Sequence, residues 1–315
     1  MSTIYEVDHL CKSYKKGKVV ANQDIHFDVH EGEILGILGP NGAGKSTLIK
    51  QMVGHMAPTT GEIRFSGKNV LAQTNRLARN VAYYSQEPYA LSTLRVWEAL
   101  YFTGRLRGMN KKEALKETDE LLDCFQLSEL RNKLLKQTSG GEKRIVGIGT
   151  ALIGPSKVLI LDEPTNELDP SKRKLVWNKL QERNKQGGTI ILVTHNVLEA
   201  EQVVDRVAVI NNGKLLEIDH VGRLKQKVDQ RLKFNLVTAH GCSGGIQETM
   251  YQWGVIHKIS ENRMTLLVEK SNASKVLDYI VNTPMLGIEE YSVMPPSLED
   301  VYFHIDQHHK GGREA

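Results

Sequence analysis

The segment that decides the fold is Ile34-Leu-Gly-Ile-Leu38, followed directly by Gly39-Pro-Asn-Gly-Ala-Gly-Lys-Ser-Thr47. The first part is a near-continuous apolar run, typical of a strand buried on both faces of a parallel sheet. The second part fits the spacing GxxxxGK[ST], and residues 45–52 have a helical pattern. A buried strand that enters a helix through such a loop predicts a phosphate-binding site, because backbone N–H groups and the helix N-terminus converge on phosphate oxygens.

This loop predicts binding of a nucleoside triphosphate with Mg²⁺. We expect Lys45 to reach the β- and γ-phosphates and the Ser46 hydroxyl to ligate Mg²⁺. A glycine-rich turn without a ligand is disfavoured, since a strand and a helix flank the loop as the binding mechanism requires. The nucleotide contacts expected from the loop are Gly39, Pro40, Asn41, Gly42, Ala43, Gly44, Lys45, Ser46 and Thr47.

Polar residues follow two further apolar segments, 158–161 and 189–193, which we predict to be buried strands. Asp162 and Glu163 end the first segment and His195 follows the second, so all three should lie at the sheet edge where ligands bind. Asp162 suits Mg²⁺ coordination, and Glu163 can polarise the attacking water. A neutral His195 can donate to a γ-phosphate and accept from a neighbour. Position carries these assignments, since an isolated acidic pair or histidine is often structural.

Three other candidates are weak by themselves. Gln86 follows the strand-like segment 81–84 and can touch Mg²⁺ or the water, although by itself it would be a surface glutamine. Ser139-Gly-Gly141 precedes a predicted helix whose amides can bind anionic oxygens, yet an ordinary serine N-cap is the simpler interpretation. Tyr14 can stack on adenine or can be a strand tyrosine without a ligand.

Composition places these motifs in an ordinary globular protein. The 315 residues are 40% hydrophobic and 25% charged, which fits one large and one small domain. A net charge of +4 is too small to indicate nucleic acid, and 3 widely spaced cysteines favour reduced thiols in a cytosolic protein. The N-terminus lacks a signal-peptide pattern, and no apolar run approaches the roughly 20 residues of a membrane helix. A membrane role must then come through a partner.

The periodicity of the chain changes twice. Residues 93–152 have helical spacing and predict an all-helical insertion into an α/β core. We expect a boundary after residue 222, with domains at 1–222 and 223–315. The second domain has the order βαββαβ of a small α+β, ferredoxin-like domain. Its predicted elements are a strand at 231–238, a helix at 245–253, a hairpin at 255–259 and 264–268, a helix at 273–281, a strand at 288–293 and a last helix capped by Ser297 and Asp300.

Taken in order, these motifs resemble the ATP-binding cassette (ABC) proteins over residues 3–220. The resemblance implies an α/β P-loop NTPase cassette with a mixed sheet core, an antiparallel β subdomain and an all-helical insertion. In that family two cassettes pair head to tail, and the P-loop of one and the Ser-Gly-Gly segment of the other enclose each ATP. The matching residues are Tyr14, 39–47, Gln86, Ser139, Gly140 and Gly141, the segment 161–169 that ends in Asp169, and Thr194-His195.

This resemblance implies further roles for the weak candidates. Ser139 and Gly141 would contact the γ-phosphate in trans with Gly140 between them, and Asp169 would lie where the two sites meet. Gln86 and the helical insertion would face a membrane permease. The sequence also departs from the family pattern, with Thr138 in place of Leu, Glu142 in place of Gln, and Ile145 and Thr150 in place of arginines. The helix loses positive charge, for which we expect Arg144 to compensate.

Two segments resemble single-cassette efflux subunits of the drug, ion and antibiotic-resistance type: residues 84–108 and the ending Pro296-Ser-Leu-Glu-Asp-Val-Tyr-Phe303. They imply an ATPase that powers export through a separate permease, bound peripherally at the cytoplasmic face of the cell membrane, with no nucleic acid partner. One alternative is a soluble cassette acting on ribosomes or DNA, although such relatives usually carry tandem cassettes or long coiled coils. Another is an importer or lipid-flipping subunit, whose cassette is nearly the same.

Overall fold

The structure is a computed structural model that describes residues 2–14, 17–85, 91–239, 250–283 and 287–311. It divides into two compact units, Met1–His220 and Val221–Ala315, whereas the sequence suggested a boundary after residue 222. Each unit has a hydrophobic core of its own. Among the described helices, none combines the length and the apolar character needed to cross a membrane.

The first unit contains two sheets and a set of helices. Its strands are β1 (Thr3–Tyr14), β2 (Val19–His30), β3 (Ile34–Leu38), β4 (Thr60–Phe65), β5 (Lys68–Asn69), β6 (Val81–Tyr84), β7 (Val158–Asp162), β8 (Thr189–Thr194), β9 (Arg206–Asn211) and β10 (Lys214–His220). Its helices are α1 (Lys45–Met52), α2 (Thr74–Asn80), α3 (Val96–Leu106), α4 (Lys111–Cys124), α5 (Gly140–Leu152), α6 (Pro170–Lys185) and α7 (Val197–Ala200).

The larger sheet has 6 strands in the order β10-β9-β3-β8-β7-β6. All neighbours are parallel except β9 and β10, which form an antiparallel hairpin. Every residue of β3, β7 and β8 is buried, as their apolar sequences predict. Because these three strands are adjacent and parallel, their carboxyl ends meet at one edge and bring the residues that follow them together.

The second sheet is antiparallel, with 4 strands in the order β2-β1-β4-β5. Helix α1 shares one hydrophobic cluster with both sheets, through its residues Leu48, Ile49 and Met52. The buried Tyr5 hydroxyl of β1 also donates to the Met52 carbonyl oxygen at 3.2 Å. Packing on both sheets therefore holds the helix that begins where the glycine loop ends.

The all-helical insertion is formed by α3, α4 and α5. Helix α4 begins with a capping box in which Asn110 and Glu113 bind each other's backbone N–H groups. Its buried face includes Ala114, Thr118 and Leu121, which recur at the helical spacing predicted from the sequence. The predicted insertion is therefore present and has its own buried face.

The second unit is an α+β arrangement with 4 antiparallel strands. The order in its sheet is β12-β13-β11-β14, and this is the strand order that a βαββαβ sequence of elements gives in a ferredoxin-like domain. The first helix expected there, at 245–253, has its first five residues, 245–249, outside the described residues. Ser297 and Asp300 form the predicted capping box, in which the Ser297 N–H donates to Asp300 Oδ2 at 2.8 Å. The elements are α8 (Val221–Gln226), β11 (Leu232–Thr238), β12 (Gly254–Ser260), β13 (Arg263–Val268), α9 (Ala273–Asn282), β14 (Ile288–Met294) and α10 (Leu298–Gly311).

Candidate nucleotide-binding and catalytic site

The glycine loop between β3 and α1 packs its backbone directly on neighbouring strands. At Gly44, which has φ 99°, a Cβ atom would lie 2.1 Å from the carbonyl oxygen of Ala21 on β2. At Gly39 a Cβ atom would lie 2.0 Å from the carbonyl oxygen of Ile210 on β9. No side chain fits in either place, so glycine is required for the loop to keep this close approach.

Lys45 lies across the loop that precedes it. Its Nζ donates to the carbonyl oxygens of Gly39 at 2.7 Å and Pro40 at 3.0 Å. Burial lowers the pKa of Lys45, while the nearby carboxylates Glu163 and Asp162 act in the opposite direction. The structure thus places a buried ammonium group at the loop, where a triphosphate would provide further oxygen acceptors.

Two buried amides that the sequence motifs do not include hold the loop in place. Asn22 Nδ2 donates to the Gly44 carbonyl oxygen at 3.1 Å, and Gln51 Nε2 donates to Asn22 Oδ1 at 2.8 Å. Both side chains are fully buried at 0% exposure. The sequence offers one signal for this pair of amides. Gln51 follows the apolar Leu48 by three positions and so lies on the same face of α1, where a buried amide needs hydrogen-bond partners.

Asp162, at the carboxyl end of β7, and Ser46, on α1, bring a carboxylate and a hydroxyl group together. Asp162 is 2% exposed, and burial raises the pKa of its carboxyl group. A hydrogen bond from Ser46 opposes this rise in pKa. A hydroxyl and a carboxylate together suit a hard divalent cation, which prefers oxygen ligands. Among the described residues these two fit the Mg²⁺ role expected of them.

Glu163 is held by hydrogen bonds to both of its carboxylate oxygens. His195 Nδ1 lies 2.8 Å from Oε1, and Thr194 Oγ1 donates to Oε2 at 3.2 Å. The Glu163 backbone has φ 52°, and its N–H donates to the Val193 carbonyl oxygen at 2.9 Å. An ionised carboxylate only accepts, so Nδ1 carries a proton, and in the neutral form of the ring the lone pair is on Nε2. Donation from Nε2 to a phosphate would then require the doubly protonated ring.

The other expected site residues make local contacts. Ser139 caps α5 and accepts from the Glu142 N–H at 3.2 Å, while Asp169 caps α6 and accepts from the Lys172 N–H at 2.9 Å. The Tyr14 hydroxyl donates to Met56 Sδ at 3.1 Å. Gln86 lies outside the described residues.

The structure therefore brings together only part of the expected set. In the part of the chain that it describes, hydrogen bonds and charge contacts join Lys45, Ser46, Asp162, Glu163 and His195. Ser139 and Asp169 instead bind the first turns of their own helices.

Arg144 connects α5 to the segment that follows β7, residues 163–167. Its Nη1 donates to the Glu163 carbonyl oxygen at 3.3 Å, and its Nη2 to Glu167 Oε2 at 3.0 Å. Ile145 is fully buried, and the nearly buried Thr150 donates to the Gly147 carbonyl oxygen at 2.6 Å. The two departures from the family's arginines are therefore accommodated inside the unit. Whether Arg144 compensates for the lost charge stays a prediction.

Comparison with known proteins agrees with this geometry. The family model described as ABC transporter matches residues 22–166. An uncharacterized ABC transporter ATP-binding protein of Bacillus subtilis (strain 168), YxlF, is 32% identical over 299 residues, which cover 95% of this chain and 98% of that protein. The daunorubicin/doxorubicin resistance ATP-binding protein DrrA of Streptomyces peucetius is 30% identical over 306 residues, which cover 96% of this chain and 92% of that protein.

A solved structure described as the ATP-binding subunit of an ABC transporter has the same fold. It aligns with a TM-score of 0.67 and 28% identity over 71% of this chain and 93% of that chain. The chain belongs to the ABC transporter family, as one of its ATP-binding subunits. It is an ATP-hydrolysing α/β P-loop cassette, which confirms the expected fold class, nucleotide and enzyme activity.

Replacing Asn22 by Ala should weaken ATP binding by disturbing the loop. The change removes the donor to the Gly44 carbonyl oxygen and one of the two acceptors of Gln51 Nε2, which keeps only the Thr47 carbonyl oxygen. A buried polar group that loses its partner costs about 1–3 kcal/mol. We expect roughly 2- to 160-fold weaker binding of a fluorescent ATP analogue, which corresponds to between half of the lower cost and all of the upper cost. The exposed neighbour Gln23→Ala is the control and should bind like the unmodified chain. Equal affinity of both variants would show that the amide pair does not position the loop.

Proposed function

We propose that the chain powers export of a substrate through a separate integral membrane permease. The observation that supports export is the similarity to DrrA, a resistance protein, along nearly the whole length of both chains. It agrees with the two segments that resemble efflux subunits, one of them in the second unit at 296–303. Selectivity for the cargo would lie in the permease, which is another chain.

In the proposed catalytic state, charged groups of this chain surround the triphosphate. Lys45 would turn from the carbonyl oxygens of its own loop to the β- and γ-phosphates. Ser46 and Asp162 would hold Mg²⁺, with Gln86 as the expected third ligand, and the ion would supply charge neutralisation at the phosphate oxygens. Burial of Lys45 and Asp162 strengthens these interactions, since fewer water molecules screen them.

Glu163 is the proposed group that polarises the attacking water. The carboxylate is 5% exposed and is kept in one orientation by Thr194 and His195. Fixed orientation lowers the cost of reaching the reactive geometry, which is where most acceleration of phosphoryl transfer arises. The doubly protonated ring of His195 would act on both sides, because Nδ1 donates to Glu163 and Nε2 would then donate to the γ-phosphate.

A second cassette would complete each site. The N-terminus of α5 is open at Gly140, where a Cβ atom would meet no heavy atom within 4 Å. Lys172 Nζ lies 3.8 Å from the Cβ position of Gly141 and 3.5 Å from Asp169 Oδ2. The helix N-terminus and this ammonium group together favour an anion brought by a partner cassette. Such a partner would be a second copy of this chain or a related cassette.

The proposed location is the cytoplasmic face of the cell membrane, reached by binding to the permease. We propose that Gln86 and the insertion of α3–α5 face that permease. The insertion carries Phe102 at 45% and Leu106 at 87% exposure, which is apolar surface suited to a protein contact. No nucleic acid partner is proposed.

Glu163→Gln should abolish ATP turnover and leave ATP binding intact. The amide keeps the size of the side chain but removes the negative charge that polarises the water, so the ATP-bound pair of cassettes should accumulate. We expect hydrolysis to fall by about 100- to 10,000-fold, which is the range for loss of a general base. Phosphate release and size-exclusion chromatography with ATP measure the two effects.

The exposed carboxylate Glu120 on α4 provides the control. Glu120→Gln makes the same change in charge at a position remote in sequence from Glu163, so this variant should hydrolyse ATP at the unmodified rate. Hydrolysis by Glu163→Gln at the unmodified rate would disprove the role proposed for Glu163.

Gly141→Ala should block ATP-driven pairing without harming the fold. Within one chain the new Cβ would meet only Leu168 and Lys172, both at 3.8 Å, which is ordinary contact. Alanine also favours the helix by up to about 1 kcal/mol over glycine. Sedimentation in the presence of ATP should show a monomer for Gly141→Ala and a dimer for the control Gly222→Ala, which is helical and has open space around it. A normal ATP-bound dimer of Gly141→Ala would contradict the trans contact.

The direction of transport is tested with the intact complex in sealed vesicles. After the permease is identified from detergent extracts, inside-out vesicles containing both proteins should accumulate substrate only with hydrolysable ATP, and not with Glu163→Gln. Inside-out vesicles expose the cassette to added ATP, so accumulation inside them corresponds to export from a cell. Movement in the opposite sense would establish an importer, and tight co-purification with ribosomes without a membrane partner would establish the soluble alternative.

A further inference from the structure

A second cluster of metal-binding side chains lies outside the nucleotide site, on the antiparallel sheet of the first unit. Asp8 and His9 on β1 and His26 on β2 each bring one possible ligand atom within 4.8 Å of the other two. His9 and His26 are exposed and Asp8 is partly exposed. The mechanism of ATP hydrolysis uses none of these three residues.

A β-bulge produces this cluster. Val7 pairs with Phe27 and Leu10 pairs with Ile25, so Asp8 and His9 together stand opposite one residue of β2, His26. The four flanking residues are buried, and the three polar residues between them lie on the solvent side. A regular pair of strands would have put Asp8 and His9 on opposite faces.

The backbone of the bulge is fixed by the third strand of the sheet. At Gly61 of β4 a Cβ atom would lie 2.3 Å from the His9 carbonyl oxygen and 2.6 Å from that of Asp8. Only glycine permits this approach. The two imidazole rings are stacked with centroids 5.3 Å apart and an interplanar angle of 25°. The polar side chains therefore project from a supported backbone.

The distances are close to those of a tetrahedral metal centre. His26 Nδ1 lies 3.2 Å and His9 Nε2 lies 3.9 Å from Asp8 Oδ1. Metal–ligand bonds of about 2.0–2.2 Å at tetrahedral angles separate neighbouring ligand atoms by roughly 3.3–3.5 Å. Small rotations of exposed side chains are sufficient to reach that spacing.

Asp24 prepares His9 for this role. Its Oδ1 lies 2.7 Å from His9 Nδ1, so Nδ1 is the nitrogen that donates a proton to the carboxylate. In the neutral ring the lone pair is then on Nε2, the atom that faces Asp8. Metal-binding histidines are commonly oriented by a carboxylate at their other nitrogen.

The surrounding charges favour a cation. Within the described residues, the ion pairs of Asp8 and Asp24 are with imidazoles alone. Glu62 faces Asp8 across β4, and the nearby Arg64 is engaged by Glu62 and Glu6. A divalent cation would offset this excess of carboxylates.

We propose that Asp8, His9 and His26 form a binding site for a divalent transition-metal cation of the Zn²⁺ class, with Asp24 orienting His9. Two imidazoles and one carboxylate suit such a cation, whereas Mg²⁺ and Ca²⁺ prefer ligand sets made of oxygen. The fourth position is open to water or to a ligand from another molecule. This site is separate from the Mg²⁺ role of Ser46 and Asp162.

Zn²⁺ binding to the full chain tests the site, measured by competition with a chromogenic Zn²⁺ indicator in excess Mg²⁺. The double variant His9→Ala, His26→Ala should lose one bound Zn²⁺ per chain relative to the unmodified protein. The control His257→Ala, an exposed histidine of β12, should keep it. Binding to other histidines, such as His308 and His309, is common to all variants and cancels in this comparison.

Asp24→Ala tests whether the carboxylate of Asp24 orients His9 for metal binding. It removes only the partner of His9 Nδ1, so the number of bound ions should stay the same while affinity falls by about 10- to 100-fold. Thermal unfolding without Zn²⁺ shows whether each variant is folded. Equal Zn²⁺ stoichiometry and affinity in the double variant and the unmodified chain would overturn the proposal and leave the cluster as imidazole–carboxylate pairs.

Discussion

The close packing of the glycine loop against β2 and β9 is the constraint on which the rest of the site depends. A Cβ atom at Gly39 or Gly44 would lie within about 2 Å of a carbonyl oxygen of another strand, so any side chain at either position would push the loop away from β2 or β9. Helix α1 continues from the loop into a core shared by both sheets of the first unit. The hydrophobic effect that packs the core thus also fixes the backbone N–H groups that would receive phosphate.

The charged residues of the site depend on the same packing. Lys45, Asp162 and Glu163 are all buried. Their burial is tolerable because Lys45 donates to backbone carbonyl oxygens and the two carboxylates accept hydrogen bonds from neighbouring side chains. Arg144 also links α5 to the backbone of Glu163 through a hydrogen bond. If binding of a partner cassette moved α5, the movement would reach Glu163 through the guanidinium group of Arg144. This contact offers a physical route by which pairing of two cassettes would affect ATP hydrolysis.

Sequence patterns predicted the elements well where apolar spacing was clear. The buried strands β3, β7 and β8 and the helix after the loop lie where the spacing placed them. The contact pair of Asn22 and Gln51 was missed because it joins a strand and a helix far apart in the chain, and neither residue belongs to a motif. The metal cluster was missed for a related reason: a bulge changes which side chains share a face, and periodicity assumes regular pairing.

The sequence by itself determined the chemistry, because glycine, lysine, serine and acidic residues at fixed spacing after buried strands suit phosphate and magnesium binding. It also determined the class of protein, through the order of its motifs. Only the tertiary structure decided that His195 Nδ1 hydrogen-bonds to Glu163 and that Asn22 donates to the Gly44 carbonyl oxygen. It also decided that Asp8 and His9 lie opposite His26. These facts depend on distances between residues remote in sequence, which the folded backbone sets and no local pattern records.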